Sequence, residues 1–166
     1  MAIVFDQNVG TSGFTDEDGD DANGMGMRQK FFGVDISGSF NNLVLYEVVR
    51  SDAGYPKTIN ARITDASSVL LATGSGTLTA ADQNVSIDLS STVSSQDIYV
   101  YIGPSYQTNS VIFKGSQANP YTSSTVETWN GSIYVNLATA EDFKLKLTGP
   151  DVVAAYPPTL LFMNAG

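Results

Sequence analysis

The chain contains no cysteine and no histidine among its 166 residues. Without them there is no zinc site built on thiolate or imidazole, no Ser-His-Asp or Cys-His nucleophile system, no disulfide and no thiol redox chemistry. Positive charge is also scarce. Eight basic residues stand against 17 acidic ones, for a formal charge of −9 and a pI near 4.1. Affinity for a phosphate backbone comes from Lys and Arg displacing counterions, so nucleic acid is not an expected partner, and the same charge opposes an anionic membrane surface. Long apolar runs are missing too. The longest candidates, Val69-Leu70-Leu71-Ala72 and Leu160-Leu161-Phe162-Met163, fall far short of the roughly 18 residues a membrane span needs. The opening residues, Met1-Ala2-Ile3-Val4-Phe5-Asp6, show neither a basic n-region nor a long apolar h-region, which leads to an expectation of manufacture in a cytoplasm without a signal peptide.

What the chain does have is period-two alternation. Ile59, Ala61 and Ile63 alternate with Asn60, Arg62 and Thr64; Val85, Ile87 and Leu89 with Ser86, Asp88 and Ser90; Phe143, Leu145 and Leu147 with Lys144, Lys146 and Thr148. Successive side chains of a strand point to opposite faces, so each run reads as a half-buried strand. The same pattern predicts strands at 28–34, 41–50, 97–103, 110–115, 125–129 and 132–137. Ser51-Asp52-Ala53-Gly54, Gly74-Ser75-Gly76 and Gly103-Pro104-Ser105 read as the turns between strands. Asn130-Gly131 offers the two positive-φ residues of a type I′ turn and predicts a hairpin pairing 125–129 with 132–137. No segment of useful length has helical periodicity. The expected fold is therefore all-β, an antiparallel β-sandwich of jelly-roll type, because strands with one apolar face need a second sheet to cover it.

Three regions are expected. Residues 1–26 read as an N-terminal strand followed by a Gly- and Asp-rich acidic arm, residues 27–148 as the sandwich, and residues 149–166 as a tail in which Gly149-Pro150 and Pro157-Pro158 precede an apolar tetrapeptide. Ile3, Val4 and Phe5 at one end and Leu160, Leu161, Phe162 and Met163 at the other lie outside the sandwich pattern and are candidate assembly residues.

Two further constellations carry chemistry. In Asp16-Glu17-Asp18-Gly19-Asp20-Asp21, the carboxylates of Asp16, Asp18 and Asp20 fall at i, i+2 and i+4, the alternation by which a curved loop turns oxygens toward one calcium ion. The match to an EF-hand loop is partial: Asp21 occupies the position that needs Gly, and Met27 the position that needs an acid. The competing reading is a solvated acidic loop. Calcium is thus the one candidate cofactor, and the fold requires none. Trp129, the only tryptophan, stands beside the Asn130-Gly131 turn with Tyr134 on the partner strand and Tyr99 and Tyr101 nearby. Together with Asn130 and Glu127 they form a candidate glycan site, since aromatic faces stack on sugars while polar tips hydrogen-bond them. The competing reading is cross-strand packing within the sheet. Carboxylate pairs such as Glu127 with Asp97 lack the set separation and cleft that glycoside hydrolysis demands, and the chain is not expected to be an enzyme.

Residues 27–148 also carry a recognisable succession. Gln29, Phe31 and Phe32 open it, followed by Leu43-Val44-Leu45, then Pro56 ahead of Ile59-x-Ala61-x-Ile63 ending in Asp65. Leu70-Leu71-Ala72 leads to Gly74-Ser75, Val85-x-Ile87-x-Leu89-Ser90 comes next, and Ile98-Tyr99-Val100-Tyr101-Ile102 closes the series. The pattern resembles the jelly-roll, carbohydrate-binding-like β-sandwich modules of bacteriophage virion proteins, both fibre and head-decoration, and of bacterial adhesins. The resemblance implies a non-catalytic virion structural protein that assembles with other virion proteins or with itself, or alternatively a lectin-like module recognising a surface glycan. It supplies no catalytic residues.

Overall fold

The computed structural model describes residues 2–8, 12–15, 21–22, 24–50, 56–80, 82–104, 111–116, 126–137 and 142–150. Over these residues the chain is all-β. Its strands are β1 (Ala2–Gln7), β2 (Ser12–Thr15), β3 (Met27–Phe31), β4 (Phe40–Arg50), β5 (Lys57–Asp65), β6 (Leu70–Leu78), β7 (Asp82–Val93), β8 (Ile98–Pro104), β9 (Val111–Ser116), β10 (Glu127–Trp129), β11 (Tyr134–Asn136), β12 (Asp142–Phe143) and β13 (Leu145–Gly149), with a single 3-10 turn at Gly33–Asp35. All pair antiparallel, in the order β1-β13-β4-β7-β6-β5-β8-β3-β10-β11, while β9 joins β2, β12 and the far end of β4. Among the described residues no helix is long and apolar enough to cross a membrane.

The sheet folds back on itself. β1 and β3 stand first and eighth in the strand order, yet the rings of Phe5 and Phe31 meet edge to face at 5.2 Å. That contact is possible only if β1-β13-β4-β7 lies over β5-β8-β3-β10, with the inward residues of both layers forming one core. Those residues are the apolar halves of the alternations: Leu43 and Leu45, Ile59 and Ile63, Val85 and Ile87, Ile98 and Val100, Leu145 and Leu147, all buried. Such closure of one curled sheet gives a sandwich-like fold.

The crease falls at β6. Eight register pairs join β6 to β5 but only two join it to β7, so the ladder is interrupted on that side. Along its inner face β6 carries Ala72, Gly74 and Gly76. A methyl group on Gly74 would sit 2.7 Å from Ile87 Cγ2, and one on Gly76 would sit 2.6 Å from Val85 Cγ1. The missing side chains let β7 lean over β6 and the layers close. Gly74-Ser75-Gly76 is therefore mid-strand and not the expected turn, because these glycines serve a close approach.

Other expectations are corrected in detail. The strand expected at 28–34 ends at Phe31, where the chain enters the 3-10 turn. The arm between 7 and 26 is not all loop, since Ser12–Thr15 pairs with β9. β10 and β11 do form a hairpin, but Trp129 faces Tyr134 across a four-residue loop, 130–133, and of Asn130 and Gly131 only the glycine has positive φ, at 92°. Asn130 instead closes the loop from within: its Oδ1 accepts the backbone N–H groups of Ser132 at 3.1 Å and Ile133 at 3.0 Å.

Candidate functional site

The outer face of β5-β8-β3-β10-β11 is the most concentrated piece of chemistry among the described residues. Register aligns Arg62 with Tyr101, Tyr101 with Arg28, Arg28 with Glu127, and Glu127 with Asn136, so one row crosses five strands. All of these residues occupy the outward phase of their strands, opposite Ala61, Ile102, Met27, Val126 and Thr128.

Arg28 is the hub. Its guanidinium carbon lies 4.4 Å from the Tyr134 ring centre and 4.6 Å from that of Tyr99, its Nε donates to the Glu127 carboxylate, and its Nη1 donates to the Tyr101 hydroxyl at 3.2 Å. Burial lowers the Arg28 pKa, but Glu127 and Tyr101 outweigh that, and the net shift is upward. Arg62 packs 4.1 Å above the Tyr101 ring and donates to Asp21 Oδ2 at 2.9 Å. The Tyr134 hydroxyl is within donating distance of both Asp21 Oδ2 (3.0 Å) and the Met25 carbonyl (2.8 Å), and burial, reinforced by Asp21, pushes its pKa far above the ordinary tyrosine value. Trp129 meets Tyr134 at 5.1 Å and Tyr101 meets Tyr134 at 5.5 Å, both edge to face. Edge-to-face pairs and cations over rings are each worth about 0.5–2 kcal/mol, and here they tie the segment ending at Met25 and five strands together.

The structure thus gathers Glu127, Trp129, Tyr134, Tyr99 and Tyr101 into one cluster, with Asn130 on the adjoining loop. It does not give them equal access to a ligand. Tyr101 is buried at 3% exposure beneath the two arginines and is no stacking platform, because its ring is already covered. Tyr99, Trp129, Tyr134 and Glu127 are half-buried, while Asn130 and Asn136 are exposed. Beside the cluster, Met25, Asn60, Ala61, Thr73, Gly74 and Ser75 line a shallow open depression of about 370 Å³. Arg28, Arg62 and Asp21 were not among the residues expected from sequence. The available signal was the outward phase of Arg28 and Arg62 within their strands, whereas Asp21 lies ahead of β3 in no strand, and only the strand order brings the three to the aromatics.

The carboxylates are held by partners. Asp97 accepts the Gly33 N–H at 2.9 Å and pairs with Lys30 at 3.2 Å, which holds its pKa below the usual carboxylate range. Glu127 is bound to Arg28. An acid for glycoside cleavage needs a raised pKa, the reverse of what Asp97 has.

The remaining candidates separate. Val4 and Phe5 are buried in the core of their own fold, correcting the expectation that they seek an outside partner: β1 is an edge strand hydrogen-bonded to β13, and its inward side chains are consumed there. Ile3 alone of the three projects outward. Leu160, Leu161, Phe162 and Met163 lie outside the described residues, as do Asp16, Asp18 and Asp20; among the described residues no group of three acidic side chains is arranged to hold a metal ion. No protein-family model matches the chain, and neither the curated proteins nor the solved structures include a match to it.

Proposed function

We propose that the chain is a non-catalytic virion structural protein, a capsid-decoration or fibre component that assembles with other virion proteins or with copies of itself. The observation that carries this reading is that the first and last described strands meet at one place: Ala2 is paired with Gly149, so the segment that follows β13 departs from the end of the body at which β1 begins. A body tethered by one end suits a protein that projects from a larger assembly. The sequence resemblance to bacteriophage fibre and decoration modules points the same way. Co-purification with particles, followed by imaging of the native assembly, tests it. Density for the sandwich at regular positions on a particle is the expected result; a protein that stays in the particle-free fraction overturns the reading.

A second reading, recognition of a surface glycan, is favoured by one observation: half-buried Trp129 and Tyr134 face each other at the β10-β11 margin of the sheet, beside exposed Asn130 and Asn136. Binding on a glycan array that Trp129→Ala abolishes without lowering the melting temperature supports it. If the wild type binds no glycan and Trp129→Ala costs about 3–5 kcal/mol of stability, as loss of a packed tryptophan does, the cluster is structural.

A further inference from the structure

Five large apolar side chains are exposed among the described residues, and four of them gather at one end of the fold: Val34 at 88%, and Ile3, Val69 and Leu70 at 58% each. Register places them there. Gly149 pairs with Ala2 and abuts Ser39, Phe40 pairs with Val93, and Leu70 opens β6 at the level of Val93, where Ser91 Oγ donates to the Leu71 carbonyl. Val34 projects from the 3-10 turn, which is clamped onto the β7-β8 loop by Asp97 accepting the Gly33 N–H and by Ser95 Oγ donating to the carbonyls of Gly33 and Ile36. The same segment reaches β1, with the Ser37 N–H donating to the Val4 carbonyl at 2.9 Å. The fifth exposed residue, Ile133, is at the opposite end, on the β10-β11 loop. An apolar rim of this kind attracts a cover, since removing apolar surface from water is favourable.

The chain itself supplies one. β13 ends at Gly149 on this rim, and beyond Pro150 the sequence runs to Leu160-Leu161-Phe162-Met163, an uncharged apolar tetrapeptide. From β13 across β4 and β7 to β6 is three strand spacings, about 14 Å at ~4.8 Å each, whereas the ten residue-to-residue steps from Pro150 to Leu160 span up to about 33–36 Å when extended. The tetrapeptide therefore reaches every apolar residue of the rim with slack, and tethering gives it an effective local concentration that a free partner does not have. We propose that this rim is the docking surface for the chain's own C-terminal segment, with Leu160–Met163 covering Val34, Val69 and Leu70 in cis. The inference does not depend on the virion reading.

The absence of cysteine makes the test direct. A single Asn164→Cys substitution in the full chain takes one nitroxide label, and paramagnetic broadening of backbone amide signals reports what the label approaches. Amides of residues 33–35 and 69–71 are expected to lose most of their intensity while those of 131–133 at the opposite end keep theirs, and Leu70→Glu together with Val34→Glu, both fully tolerable at exposed positions, is expected to restore the lost signals with an unchanged melting temperature. A sample in which isotope-labelled chain without the nitroxide is mixed with unlabelled nitroxide chain distinguishes the source: broadening that is as strong there assigns the rim to the tail of a second copy and overturns docking in cis. Absence of broadening at the rim, or equal broadening at both ends, overturns the docking surface altogether.

Discussion

Gln7 sits at the inner phase of β1 with 1% of its surface exposed, and among the described residues neither atom of its side-chain amide has a hydrogen-bond partner. Its sequence neighbours explain the position: Phe5 and Gln7 alternate with Asp6, so the residue that follows Phe5 on the core face is buried whatever its polarity. An unpartnered amide in the interior costs about 1–3 kcal/mol, so Gln7→Leu, of similar length and without the polar atoms, is expected to stabilise the protein by about that amount in urea titration. The contrast is Gln29, equally buried, whose amide donates to Asp142 and accepts the Phe143 N–H at 2.7 Å; Gln29→Leu breaks both bonds and is expected to destabilise. Tyr46 shows the same logic in a titratable group. Burial, reinforced by donation of its hydroxyl to Asp6 Oδ1 at 3.0 Å, pushes its pKa up from 10.0 to about 12. Because the folded state holds this proton more tightly than the unfolded chain, the stability it contributes is complete below pH 10 and is lost as pH rises toward 12. An alkaline absorbance titration of the eight tyrosines is expected to show Tyr46 and Tyr134 ionising late, with Tyr46→Phe removing part of the alkaline loss of stability.

β6 is the element on which the architecture turns. If its glycines allow the layers to close, then Gly74→Ala, whose new methyl meets Ile87 Cγ2 and the Asp88 carbonyl, is expected to cost about 1–3 kcal/mol, as overpacking does, whereas Ser75→Ala on the opposite face stays within ~0.5 kcal/mol. Thermal melts of the two variants compare them directly. This element also marks how far sequence could be read. Strands such as β5 and β7 were legible because alternation of apolar and polar residues is a property of the local chain: Ile59, Ala61 and Ile63 face inward as their spacing requires. A Gly-Ser-Gly triplet, in contrast, signals either a turn or a close backbone approach, and only the neighbouring strand decides between them. The four-residue loop at Asn130 has the same origin, with the Asn side chain bonding forward along the backbone where a two-residue turn was expected. At the candidate site, the aromatic residues were legible as a group, but their partners Arg28, Arg62 and Asp21 were not, since nothing local says that β5, β8, β3 and β10 lie side by side.

At the scale of the whole molecule, the dominant fact is how far apart in sequence the paired strands are. Ala2 pairs with Gly149, Leu45 with Leu145, and Met27 with Ile102, so the ladders that complete the sandwich close loops of between about half and nearly all of the chain length. Closure entropy of this kind must be offset before the contacts form, which places such folds in the slow, millisecond-to-second range. β1 then has a particular standing. It is the first of the described strands and pairs with the last of them, yet it carries Val4 and Phe5 into the core, where Phe5 packs on Phe31 of the opposite layer. Removing residues 1–7 deletes two buried side chains worth roughly 1.5–3 kcal/mol each and exposes both the backbone edge of β13 and the apolar face of Phe31. Since domains of this size are stable by only about 5–15 kcal/mol, that loss is a large fraction of the whole. The truncated chain is expected to unfold at much lower denaturant and to show a reduced slope against denaturant concentration, because less surface remains to be exposed. An unchanged midpoint would mean that β1 is an accessory edge strand and that the two layers are held together without it.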